Sequence, residues 1–142
     1  MLTHPFNTEG AKLRLLGDYA KYGNLVIGFD FDNTIYNYSC NGLVDGMFDD
    51  VINLLKEAQE TLCCTMCLFT SETDDTKLEW KIKETRKLGI RVDCVNYSPL
   101  SMKAIKPHFN ILLDDRAGLE SAYDTLKFVV DEIKLIKNKE NA

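Results

Sequence analysis

No apolar run in this sequence approaches the ~20 residues that a bilayer-spanning helix requires, so no membrane partner is expected. An excess of positive charge is also missing. There are 17 Lys and Arg against 22 Asp and Glu, a net charge of −5. Such a chain has no long-range field to hold nucleic acid or an anionic surface. Stable nucleic-acid binding is therefore not expected, and a phosphorylated ligand would need local positive charge from a metal or a few placed cations. The opening residues, MLTHPFNTEG, lack the charged-then-apolar form of a signal peptide. The five cysteines are odd in number, and three crowd at Cys63, Cys64 and Cys67. That is no disulfide framework; they read as reduced thiols on a core strand, in a cytoplasmic protein. His4 and His108 read as ordinary. Repeats, low-complexity tracts and Pro/Gly/Ser linkers are absent, and 142 residues suit a single domain, 1–142.

What is present alternates between helical and extended patterns. Residues 8–22 have an amphipathic helical period, with Asn7 or Thr8 to cap the helix and Gly23 to end it; this is the N-terminal helix of residues 1–23. Residues 25–30 form a short apolar strand. Tyr36 and Tyr38 alternate before Asn41-Gly42, a hairpin turn signal, so residues 35–46 are expected to form a small β-hairpin flap. Met47, Val51, Leu54, Leu55 and Ala58 recur at helical spacing. Residues 61–69, TLCCTMCLF, are apolar almost throughout, as a strand covered on both faces would be. A charged helix over 74–88, a short strand near Arg91 to Val95, a loop from Asn96 to His108, a strand over 109–113 and a helix from about Gly118 to Lys137 complete the chain. This order predicts an α/β fold with a parallel sheet between helical layers.

Two of the strands end in acids. LVIGFDFDNTI delivers Asp30 and Asp32, with Thr34 next in the same alternation, and FNILLDD delivers Asp114 and Asp115. One Asp after a strand ordinarily caps a helix or makes a turn. Four at two strand ends are another matter, because open α/β sheets bind ligands beyond the carboxyl ends of their strands. If the two strands are neighbours, four carboxylates converge, and they cannot all stay ionised without compensation. Oxygen donors with no His or Cys point to Mg²⁺.

FDFDNT resembles the first motif of the haloacid dehalogenase-like superfamily, Asp-any-Asp-any-Thr after an apolar strand. The later motifs follow in order: CLFT ending in Thr70, a lysine at Lys106, and ILLDDR with its two acids. The resemblance spans about residues 24–125. It implies a three-layer α/β/α, Rossmann-like phosphatase fold and an aspartyl-phosphate mechanism. Asp30 would be the nucleophile and Asp32 the acid and base. Mg²⁺ would lie between Asp30, the main-chain carbonyl of Asp32, and Asp115 with or without Asp114. Thr70 would hold phosphoryl oxygens and Lys106 would neutralise charge. Ser71 is the alternative to Thr70, and Lys103 to Lys106. Thr34, Ser71 and Arg116 are assigned to the substrate, while Glu120 reads as a surface helix residue.

Neither stretch between these motifs has room for a folded cap domain. A capless, open site suits a large phosphorylated substrate, or a small one closed in by the flap or by a second subunit, so a homo-oligomer fits the sequence. Asp-Asp-Arg also resembles the string in polynucleotide 3′-phosphatases and deoxynucleotidases. The expected activity is a Mg²⁺-dependent phosphomonoesterase; the rival is a catalytically silent module of the same fold.

Overall fold

The computed structural model describes residues 7–41, 46–97 and 108–142. The elements are α1 (Thr8–Tyr22), β1 (Leu25–Phe29), a 3₁₀ turn (Tyr38–Cys40), α2 (Asp49–Thr61), β2 (Cys64–Leu68), α3 (Asp75–Lys87), β3 (Cys94–Val95), β4 (Ile111–Leu113) and α4 (Leu119–Glu140). None of the described helices is long and apolar enough to cross a membrane.

Local signals set several of these boundaries. The Asn7 side chain accepts the Glu9 N–H at 2.9 Å, satisfying one of the free donors of the first turn of α1. Gly23, at φ 67°, closes that helix in the left-handed region where glycine costs least. In α3, the Asp74 carboxylate accepts the Lys77 N–H at 2.9 Å in the same way.

The strands lie in the order β3-β2-β1-β4, and every neighbouring pair is parallel. The chain winds outward from β1 through β2 to β3, then crosses to the other side of β1 to form β4. The reversal therefore falls between β1 and β4, where an open α/β sheet leaves a crevice. Leu25, Ile27 and Phe29 of β1 join one hydrophobic core with α2, α4, Met66, Leu68 and Leu113. Val26, which points the other way, is buried too. Cover on both faces is what a parallel sheet needs, and it is compatible with a three-layer α/β/α arrangement.

Some expectations change. The hairpin over 35–46 is replaced, among the described residues, by a tight turn and a 3₁₀ turn. The Phe31 carbonyl accepts the N–H groups of Thr34, Ile35 and Tyr36, and Asn41 adopts φ 50° as the cap of Tyr38–Cys40. Asn41 thus ends a helical turn instead of opening a hairpin; residues 42–45 lie outside the described set. The expected strand over 61–69 begins later, because α2 runs through Thr61. The strand near Arg91 to Val95 contracts to two residues, and the one over 109–113 to three. Asn110 still bonds to β1, through its N–H to the Val26 carbonyl and its side chain from the Val26 N–H. Lys103, Lys106, His4 and most of the expected 96–108 loop lie outside the described residues.

Candidate active site

Phe29 pairs with Leu113 across β1 and β4, so Asp30 and Asp114 come next in register, side by side. The Asp30 N–H donates to the Leu113 carbonyl at 2.9 Å, extending the pairing by one step. Among the described residues, Asp30, Asp114 and Asp115 each bring a carboxylate oxygen within 4.8 Å of the others. An open cleft of about 310 Å³ forms above them, lined also by Asp32, Thr70, Ser71 and Arg116. The structure thus gathers seven of the residues singled out in the sequence at one place.

Like charges this close disturb each other. The Asp30 carboxyl is raised to about 7 from an ordinary value of 3.8. Burial is the main cause, and the charge of Asp114 adds to it. A hydrogen bond from the Phe31 N–H opposes the shift, while the carboxyl hydrogen bond and charge of Asp115 reinforce it. A proton on Asp30 therefore relieves the crowding at neutral pH. The donors are all oxygen and the field is negative, a set that fits a hard divalent cation such as Mg²⁺.

Thr34 is not at the cleft wall. The strand alternation expected to carry it there stops at Phe29, and the turn after Phe31, with Asn33 at φ 57°, draws it inward. It is fully buried. Its hydroxyl accepts the Asp115 N–H at 3.1 Å and donates to the Asp115 carboxylate at 3.4 Å. Thr34 therefore braces a carboxylate from below, in place of the substrate contact expected from the sequence. Thr70 is buried at the cleft edge, and its hydroxyl accepts the Glu72 N–H at 3.2 Å. Arg116 donates its N–H to Asp114 Oδ1 at 2.9 Å, in a local turn. Glu120 is exposed in the first turn of α4.

Two residues were missed by sequence reasoning. Lys81 of α3 is buried, with its ammonium 3.0 Å from Asp32 Oδ2 and 3.3 Å from Glu72 Oε1. It also lies 5.6 Å from the centroid of the Phe31 ring. Burial works against its charge, but the hydrogen bonds and charges of Asp32 and Glu72 prevail and raise its pKa. The available signal was its position: Leu78, Lys81, Ile82 and Thr85 share one helical face. The second is Asn96, at φ 58° just past β3, whose side chain accepts the Thr70 N–H at 2.7 Å.

The cysteines hold no metal site among the described residues; Cys40 and Cys63 are exposed, Cys64 and Cys94 half-buried, Cys67 buried, and all are free thiols. Comparison with models of known families, with curated proteins and with solved structures yields no match.

Proposed function

We propose that this chain is a Mg²⁺-dependent phosphomonoesterase of the haloacid dehalogenase-like kind. The observation that carries the reading is the meeting of Asp30 with Asp114 and Asp115 at the point where the sheet reverses direction. Asp32, Thr70, Ser71 and Arg116 border the same cleft. Asp30, Asp114 and Asp115 would hold the metal, together with the main-chain carbonyl of Asp32. The bound ion would supply positive charge that lets an anionic nucleophile approach an anionic phosphate.

The chain's own groups perform the rest. A carboxylate oxygen of Asp30 attacks phosphorus as the ester P–O bond breaks, and Asp32 gives its proton to the departing oxygen. Water then attacks the phosphorus of the aspartyl-phosphate and gives a proton to Asp32. The bond to Asp30 breaks, releasing inorganic phosphate and restoring both acids. Thr70 has a hydroxyl proton to donate to a phosphoryl oxygen, and Lys106 would neutralise charge as expected from the motif order. No cap domain covers the cleft among the described residues, which suits a large or nucleotide-type phosphorylated substrate.

The test is hydrolysis of an aryl phosphate with Mg²⁺ present and after chelation. Activity is expected to require the metal and to fall by about 10³-fold or more in Asp30→Asn. Equal activity in wild type and Asp30→Asn would exclude the covalent route. Metal binding without turnover of any phosphate ester would favour the catalytically silent module.

A further inference from the structure

A second groove opens beside the acid cleft, and nothing in the chemistry above uses it. It measures about 580 Å³ and shares Asp32, Tyr38 and Ser71 with the cleft. Tyr36, Glu72, Lys77, Trp80 and Lys81 complete its lining. Trp80 is 42% exposed and Tyr38 64% exposed. Large aromatic side chains lose free energy when left in water, yet two of them border this one depression. Trp80 is held in place from behind. It meets Tyr36 edge-on at 5.3 Å and Phe31 at 5.6 Å, and Phe31 and Tyr36 stack at 5.0 Å. A rigid aromatic wall with an open face is a platform for a planar ring.

We infer that this groove is the subsite for the leaving group, and that the leaving group is a nucleoside: the substrate class is a nucleoside monophosphate. Asp32 lines both cavities, and in the proposed reaction it protonates the departing oxygen. The departing group must therefore extend from the cleft past Asp32 into the groove. The groove lies in the size range of small-molecule sites, about 300–1,000 Å³, leaving room for a sugar between the phosphate and a base stacked against Trp80 or Tyr38. The direction of the leaving group rests on the phosphatase reading; the stacking itself does not.

Trp80 is the sole tryptophan, so its fluorescence reports the groove directly. Full-length, metal-free protein is titrated with adenosine, adenosine 5′-monophosphate and ribose 5-phosphate. Adenosine is expected to quench saturably, its monophosphate more weakly while the metal is absent, and ribose 5-phosphate is not. Tyr38→Ala, at an exposed position, is expected to weaken nucleoside binding about tenfold. With Mg²⁺, kcat/KM for the nucleotide is expected to exceed that for ribose 5-phosphate by about tenfold, and Trp80→Leu to remove that preference. Absence of saturable quenching, or equal quenching by ribose 5-phosphate, overturns the inference. So does faster turnover of O-phosphotyrosine, or of an oligonucleotide's terminal phosphate, than of the mononucleotide. Quenching without turnover of any ester supports the groove and refutes the phosphatase. Turnover with no preference for nucleotides does the reverse.

Discussion

Asp30 holds a proton in the folded chain at a pH where the unfolded chain has released it. Its carboxyl titrates near 7 when folded, chiefly through burial, against 3.8 ordinarily. Between those values the folded state binds more protons, so metal-free stability must fall as pH rises from about 4 to about 7. Urea denaturation in the presence of a chelator is expected to show a lower midpoint at pH 8 than at pH 5. Asp30→Asn, which cannot ionise, should flatten that difference. The brace under the site makes a separate prediction. Thr34→Val keeps the shape but removes the hydroxyl that bonds Asp115 at 3.1 and 3.4 Å. Groups that orient a metal ligand commonly contribute about 10–100-fold in affinity, so Mg²⁺ binding by calorimetry is expected to weaken at least about tenfold. Undiminished affinity would mean that Asp115 holds its position without Thr34.

Among the elements, the contact of β1 with β4 bears the most on the site, because it sets Asp30 beside Asp114. Its closeness depends on Gly28. A Cβ at that position would lie 2.9 Å from two ring atoms of Phe109 and 3.1 Å from Leu112 Cδ1. Gly28→Ala is therefore expected to cost about 1–3 kcal/mol through overpacking, measured by urea denaturation. Adding Phe109→Leu should recover part of the loss by clearing the ring. Phe109 is itself held edge-on to Phe69 at 5.2 Å, so it has little freedom to move aside. α3 has a different task. Its polar surface hides an inward Lys81 that pins Asp32, the acid shared by cleft and groove.

At the scale of the whole molecule, the thiols report how the chain is packed. Burial raises Cys64 to about 11. Burial, aided by a hydrogen bond with Cys67, raises Cys94 to about 12. Cys67 is fully enclosed and pairs with Cys94 in the sheet register. Only the thiolate reacts, so at pH 8 iodoacetamide is expected to modify exposed Cys40 and Cys63 within minutes. Cys64, Cys67 and Cys94 should follow only when the chain unfolds. Mass spectrometry of the native protein checks this; rapid labelling of Cys67 would mean that the β2–β3 edge opens freely. The folded body is tied together on its helical side as well. Lys134 of α4 reaches Glu57 of α2 at 2.7 Å, and Lys137 donates to the Thr61 carbonyl.

The sequence alone determined whatever depends on neighbours a few residues away. Helix α1 could be read with both ends, because Asn7 and Gly23 act on the backbone beside them. The acids at the ends of two apolar strands were legible for the same reason. The tertiary structure alone decided which strand ends meet. A crossover that places β4 against β1 involves residues more than eighty positions apart, and no local pattern encodes it. The roles of Thr34, Lys81 and Asn96 were hidden for that reason too: each acts on a partner from another element. Where a hairpin strand was expected, Tyr38–Cys40 form a 3₁₀ turn, which Asn37 caps by accepting the Cys40 N–H and Asn41 closes by donating its N–H to the Tyr38 carbonyl.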